Sequence, residues 1–277
     1  MVESSILSFE HLLREEEKSE ATIAKYLHDI RFFISFLGKQ EISKQLVMQY
    51  KDYLAQHYKS ASANSMLVSL NRFLRFIGRE ESCVRLLRIQ RQIFASEDRE
   101  LSKKEYQRLL KAAQHRQSYR IALIMQTICG TGIRISELSY ITAEAVLTGK
   151  SVVNCKNKTR VIFIPVPLQN LLKKYMKKAG IQSGPVFLSR SGKTLNRSNI
   201  WREMKALCES AQVAPEKVYP HNLRHLFARL FYSIEKDIVR LADLLGHSSI
   251  NTTRIYTMET GYEHRSRLEK VQRLLWT

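Results

Sequence analysis

Apolar and polar positions recur with a helical period through the first ninety residues of the chain. The amphipathic stretch from Ile6 to Glu17 predicts a first helix, and a second runs from Ser19, as N-cap, to Leu37, where Gly38 stops it. Ser43 caps a third helix that continues through Tyr58, and a fourth extends from Ala61 to Ile77 before Gly78. Leu67, Leu70, Phe73, Leu74 and Ile77 fall at helical spacing and define its buried face. Between residues 91 and 100 the periodicity lapses, which reads as an interdomain linker. Directly after it, Ser102 and Glu105 form a capping box, and Leu101 is placed to staple against Tyr106. Helices follow to Ile128 and from Arg134 to Tyr140. The period then shortens to two, so Ser151–Asn154 and Arg160–Pro165 predict a β-hairpin. Pro167 opens a helix that Gly180 closes, Val186-Phe187-Leu188 reads as a short strand, and Asn196 to Ala211 as a further helix. Pro220 starts another, and Asp237 to Leu245 makes one more that ends at Gly246. In the tail, Leu268, Val271 and Leu275 line one helix face. The expectation is a mainly α fold with a small β-sheet, of α+β class, in two domains: 1–90 and 101–277, joined by 91–100.

Composition changes this picture in one respect. At 277 residues and 44% apolar content the chain can build two cores, as a globular protein does. No apolar run approaches the roughly 20 residues of a membrane helix, and Met1-Val2-Glu3-Ser4-Ser5 is no signal peptide, so a cytoplasmic protein with no membrane partner is expected. Cys83, Cys129, Cys155 and Cys208 are scattered without a C-x-x-C pair, which fits reduced thiols rather than a disulfide or zinc framework. The net charge of +19 is what narrows the function. Residues 1–95 hold 14 Lys/Arg against 11 Asp/Glu, whereas the remainder holds 31 against 15. An excess this uneven points to a polyanion, and to nucleic acid over a membrane surface. Within the first domain the cations gather from Lys59 to Arg91, which makes the later helices the side expected to face DNA.

Candidate chemistry lies in two separated stretches. Pro220-His221-Asn222-Leu223-Arg224-His225 puts His221 and Arg224 side by side on one helix face; Leu245-Gly246-His247 leaves His247 in the turn after a helix, and Tyr256 follows nine residues later. Far upstream, Cys129-Gly130-Thr131-Gly132-Ile133-Arg134-Ile135-Ser136-Glu137-Leu138 has glycines for a tight turn, with Glu137 spaced to pair with Arg134. Two guanidiniums can grip the non-bridging oxygens of a phosphodiester with paired hydrogen bonds. Two other patterns fail. Gly192-Lys193-Thr194 lacks the earlier glycine of a phosphate loop, because position 187 is Phe, and His221 with His225 has zinc-helix spacing but Arg224 between them.

Thr131-Gly132-Ile133-Arg134 with Glu137, His221-x-x-Arg224, Leu245-Gly246-His247 and Tyr256 resemble the signature of the tyrosine recombinases, most closely the Xer-like and phage-type integrase branch. The blocks stand in that family's chain order, with its nine-residue step from His247 to Tyr256, and the likeness covers most of the chain. The resemblance implies a helical, SAM-like core-binding domain at 1–90 and a catalytic domain at 101–277. It implies a site-specific recombinase or integrase that cuts and rejoins strands through a covalent 3′-phosphotyrosine and a Holliday junction, without metal, ATP or other cofactor. Its partners would be double-stranded DNA with inverted-repeat recombination sites and, on that DNA, a homotetramer or two paired dimers. Tyr256 would be the nucleophile, Arg134 and Arg224 the phosphate clamp, His221 the first choice of proton acceptor, and His247 a further hydrogen-bonding group. His225 would pack behind them.

In the family a hairpin lysine protonates the leaving 5′ oxygen. Here the usual Gly-Lys-Gly turn is replaced by Asn154-Cys155-Lys156-Asn157-Lys158-Thr159-Arg160, where Lys156 fits best and Lys158 competes. Two alternatives stay open on sequence alone: a type IB topoisomerase, which uses the same intermediate, and a catalytically silent DNA-binding protein on this scaffold.

Overall fold

The computed structural model describes residues 2–88, 99–155, 158–189, 192–247, 249–256, 269–273 and 275–276. The chain divides into two compact units, Met1–Arg91 and Gln92–Thr277. The first holds α1 (Val2–Glu15), α2 (Glu20–Leu37), α3 (Lys44–His57) and α4 (Ser60–Phe76). The Ser19 and Ser43 hydroxyls accept from the N–H groups of Thr22 and Leu46, so both expected caps form. α1 begins four residues before Ile6, at Val2. Phe33, Tyr50, Leu54, Leu67 and Leu70 fill one core cluster, and Phe9, Leu13, Ile30 and Phe73 an adjoining one. Each large apolar side chain buried this way stabilises by about 1.5–3 kcal/mol. Beyond α4 the chain is extended and strapped back by two asparagines. Asn71 exchanges hydrogen bonds with Val84 N–H and C=O (3.0 and 2.8 Å), and Asn64 does the same with Leu87 (2.7 and 2.9 Å).

The second unit holds α5 (Lys103–His115), α6 (Tyr119–Thr131), α7 (Ala143–Thr148), β1 (Lys150–Cys155), β2 (Lys158–Phe163), α8 (Val166–Ala179), α9 (Arg197–Lys205), α10 (Cys208–Ala211), α11 (Pro220–Glu235), α12 (Ile238–Leu245) and α13 (Ile250–Thr253). α6 is apolar on nearly every face, with Ile121, Leu123, Ile124, Met125 and Ile128 buried, and it packs against α5, α8, α9 and α11. The Ser102–Glu105 capping box is present. β1 and β2 pair antiparallel from Lys150↔Phe163 to Cys155↔Lys158. Ser151, Val153 and Ile162 turn to the core, while Val152, Val161 and Phe163 remain exposed on the other face.

Three elements differ from expectation, each for a local reason. Ile135–Tyr140 is a 3₁₀ helix, because the Glu137 carboxylate reaches back to the Arg134 N–H and tightens its first turn. The helix expected over Asn196–Ala211 breaks after Lys205, where Arg116, at the C-terminal cap of α5, takes Ala206 O, a carbonyl that a continuous helix would use, while Arg108 of α5 caps the end of α10 through Ala211 O and Gln212 O. Among the described residues Val186–Leu188 makes only isolated bridging contacts, Thr142↔Pro185 and Leu188↔Thr194, because the positive-φ glycines 184 and 192 turn the chain on either side of it. In the tail, residues 269–273 are helical, and Val271, Leu275 and Trp276 are exposed rather than packed. Leu268 and Leu274 lie outside the described residues.

Candidate active site

The site is built around the end of one short helix. Asp237 caps α12 at its start, accepting from the N–H groups of Val239 and Arg240 at 2.9 Å. At its other end Gly246 adopts φ 63°, His247 N–H bonds Ala242 O at 3.0 Å and Gly246 N–H bonds Asp243 O at 2.9 Å. This closing turn leaves the carbonyls of residues 244, 245 and 246 without helical partners. Three arginines from three other elements take them. Arg160 Nη1 donates to Leu244 O at 2.5 Å, Arg224 Nη2 to Leu245 O at 2.7 Å, and Arg134 Nη2 to Gly246 O at 3.3 Å. The negative end of the helix dipole adds to their attraction.

Arg224 follows Pro220 by one turn of α11 and is almost wholly buried, at 1% exposure. Its Nη1 donates to Gly132 O at 2.6 Å. Gly132 closes α6 at φ 66°, and a Cβ there would lie 2.5 Å from the Phe227 ring, so the position requires glycine twice over. Burial and the charges of Arg134 and Arg160 lower the Arg224 proton affinity to about 10, which leaves it charged at neutral pH. Glu137 gathers the other two cations. It is buried at 1% exposure, bonds Arg134 N–H at 2.8 Å and Arg134 Nη1 at 2.9 Å, and takes Arg160 Nη2 at 2.5 Å. Burial alone would raise its pKa, but those donors and charges outweigh burial and hold it below the usual carboxylate range.

His247 lies 3.0 Å through Nε2 from Arg224 Nη2, and 2.8 Å through Nδ1 from Thr253 Oγ1. A guanidinium only donates, so Nε2 accepts and the proton sits on Nδ1 facing Thr253. Burial and the neighbouring Arg224, Arg134 and Arg160 push His247 down to about 4. His221, more open to solvent, is pushed to about 4 by partial burial, His225, Arg224 and Arg134, against the pull of Glu100. Both rings are therefore neutral at pH 7. Tyr256 ends the 3₁₀ turn after α13 and is buried in a cluster with Ala228, Leu241 and Leu245. Its ring stacks on His247 at 6.0 Å and meets His225 edge-on at 4.7 Å. Burial raises the Tyr256 phenol pKa, against the pull of Arg224 and Arg134.

Arg134, Arg224, His247 and Tyr256 thus meet in one place, and His221 joins through His225, whose ring stands 4.5 Å from it. Lys156 lies outside the described residues, as does the side chain of Lys158, whose backbone opens β2. Sequence reasoning missed Arg160, although a charged residue on the inward register of a hairpin was a signal. It missed Thr253, which nothing in the pattern marks. It also placed Glu100 in the linker, whereas its carboxylate lies 3.4 Å from His225 Nδ1 and forms an ion pair with Arg229 at 3.0 Å.

Residues 99–261 match the phage integrase family, and residues 6–81 match the phage integrase N-terminal SAM-like domain. Tyrosine recombinase XerA of Pyrococcus furiosus is 29% identical over 273 residues, which cover 96% of this chain and 93% of XerA. Tyrosine recombinase XerD of Oceanobacillus iheyensis is 27% identical over 286 residues, covering 94% of this chain and 95% of XerD. Among solved structures, a lambda integrase (75-356) dimer bound to a COC′ core site superposes with a TM-score of 0.75 at 19% identity, over 94% of this chain and 96% of that one. XerA recombinase gives 0.54 at 24% identity, over 98% of both. The chain belongs to the phage integrase family and is a tyrosine recombinase, an enzyme of site-specific DNA recombination.

Proposed function

We propose that Tyr256 attacks a DNA phosphodiester held between Arg134 and Arg224, and that the resulting link is passed to a second strand. The observation that carries this reading is the convergence of Arg134, Arg224, His247 and Tyr256 on the end of α12. Preorganised guanidiniums stabilise the charge that builds on the non-bridging oxygens, with no reorganisation during the reaction. In the resting site the phenol is neutral and so is His221. An incoming phosphate offsets the cations that depress His221, and His221 then takes the phenolic proton. The Tyr256 oxygen bonds to phosphorus as the bond to the 5′ oxygen breaks, and Lys156 supplies the proton that the 5′ oxygen acquires. A 3′-phosphotyrosine and a free 5′ hydroxyl result. Attack by another 5′ hydroxyl reverses the step, so strand exchange through a Holliday junction needs no external energy source.

The partner is duplex DNA with inverted-repeat sites, bound by a homotetramer or two paired dimers. The strongly basic second unit supports this, as do the similar lambda integrase tetramer bound to a Holliday junction and XerH bound to its difH substrate. The exposed Val271, Leu275 and Trp276 are the apolar surface a neighbouring subunit would cover. Removing residues 267–277 should therefore leave folding and single-site binding intact and abolish assembly.

The decisive experiment selects bound sequences from a random duplex library and converts the winning site to a nicked suicide substrate. The unaltered protein should accumulate a covalent adduct, and Tyr256→Phe should bind equally and form none. An adduct of normal yield from Tyr256→Phe would refute the assignment. On a 5′-bridging phosphorothiolate, whose leaving sulfur needs no proton, Lys156→Ala should recover and Lys158→Ala should not. The reverse pattern would move the role to Lys158.

A further inference from the structure

We propose that Arg160 is a positioning residue that locks the phosphate-binding arginines in their cleavage geometry, an inference that rests on Arg134 and Arg224 forming the phosphate clamp. Alternation along β2 turns Arg160 to the same inward face as Ile162, opposite Val153. A guanidinium placed there is costly unless its donors are satisfied, and this one keeps only 12% side-chain exposure. Its two terminal nitrogens reach acceptors on two different elements, Glu137 Oε2 and Leu244 O, each at 2.5 Å.

Those acceptors are the two supports of the clamp. Glu137 is the carboxylate that orients Arg134 through its backbone N–H and its Nη1, so Arg160 and Arg134 share one anion. Leu244 O is the first of three successive carbonyls, the next two of which hold Arg224 and Arg134. Arg160 therefore bolts the 3₁₀ turn carrying Arg134 to the end of α12, and does so from the hairpin. The fit is close: a Cβ on Gly246 would lie 2.6 Å from Arg160 Cδ. A rigid planar fork can hold a carboxylate and a carbonyl in fixed relation, which the single ammonium of lysine on its flexible stem cannot.

The test uses full-length Arg160→Lys and Arg160→Met. It compares melting temperature, affinity for the selected duplex, and the single-turnover rate of adduct formation at saturating DNA. Arg160→Lys should fold and bind DNA within about 3-fold of the unaltered protein, and form adduct at least about 10-fold more slowly, as a displaced clamp requires. The deficit should persist on the 5′-bridging phosphorothiolate, because the clamp acts on the non-bridging oxygens. A normal rate for Arg160→Lys would overturn the proposal by showing that charge alone suffices. So would a deficit that vanishes on the phosphorothiolate, which would mean Arg160 acts through the leaving-group proton donor. If Arg160→Met fails to fold, Arg160→Lys decides the matter; if both fail, Arg160 only holds the fold and the proposal falls. Absence of adduct from the unaltered protein would instead refute the proposed function, and the two failures are distinguishable.

Discussion

Each unit of this protein buries a carboxylate, and the two are used differently. Asp29 in the first unit is 5% exposed and takes Lys25 Nζ at 2.6 Å and Ser69 Oγ at 2.7 Å. Lys25 lies one turn away on the same helix, and Ser69 lies on α4, which packs against it. The group pins two helices, and its charge is matched by one cation. Glu137 in the second unit is 1% exposed and serves two arginines, each of which also reaches the end of α12. Three elements meet there with more positive than negative charge. A site that already balanced its own charges would have little left for a phosphate. The surplus is what a ligand anion can neutralise, and helix-end carbonyls let the protein tolerate it in the meantime.

The largest break in this comparison is Arg224→Ala. It removes a clamp donor and leaves Gly132 O and Leu245 O without the partner they now have. Single-turnover adduct formation should fall by more than about 10²-fold, and the second unit should also lose stability, by roughly 1–3 kcal/mol. Quench-flow assays with the suicide substrate and urea melts would check both. Near-normal cleavage would mean the buried guanidinium is structural only.

The next effect separates the two carboxylates directly. Glu137→Gln leaves Arg134 and Arg160 without their shared anion, and should slow adduct formation by about 10- to 10²-fold at saturating DNA. Asp29→Asn should cost the first unit about 1–3 kcal/mol and leave that rate unchanged. Equal rate losses in both variants would erase the distinction.

What the sequence made legible follows from how local each interaction is. Ser19, Ser43 and the Ser102–Glu105 box act within one turn, so spacing alone predicts them. The pairing of Arg134 with Glu137 is equally local. By contrast, the contacts that make the site span 84 residues from Arg160 to Leu244 and 112 from Arg134 to Gly246. Backbone carbonyls are their acceptors, and a carbonyl leaves no mark on residue identity. The glycines 132 and 246 hinted at these contacts through their turns, but not at which side chain would press against them. Glu100 was read as linker because periodicity is silent about an isolated side chain that folds back onto α11.

Glycine offers a finer version of the comparison. Gly38 and Gly246 close helices at φ 61° and 63°, one in each unit. A Cβ on Gly38 meets nothing within 4 Å, whereas one on Gly246 meets Arg160. Gly246 lies in the left-handed helical region, where alanine costs about 1–2 kcal/mol, whereas Gly38, at ψ −116°, holds a conformation that only glycine adopts readily, so Gly38→Ala should cost at least as much. Only Gly246→Ala should also slow cleavage, by several-fold, because Arg160 must shift. A stability loss in both variants, with a rate deficit confined to Gly246→Ala, is the expected pair of results.

The smallest expected effect is a pH dependence of stability carried by His247 in the second unit. His247 is held near 4 in the folded protein by burial and by Arg224, Arg134 and Arg160, against an ordinary value of 6.5. Above pH 6.5 the ring is neutral in both folded and unfolded chains and does not alter the balance between them. Between pH 6.5 and about 4 the unfolded chain binds a proton that the folded one refuses, so stability falls as pH falls. Below about 4 the loss levels off. For a partly buried ring it should amount to about 1–2 kcal/mol, and His221 should add a smaller share because it is more open to solvent. Carboxylates such as Glu137, held below their ordinary 4.5, lose their contribution at lower pH, so the histidine window is read between 6.5 and 5. Urea titrations of the full chain across that range should show a slope that His247→Gln reduces. A slope indifferent to His247→Gln would mean that the cations around α12 do not govern the protonation of this ring.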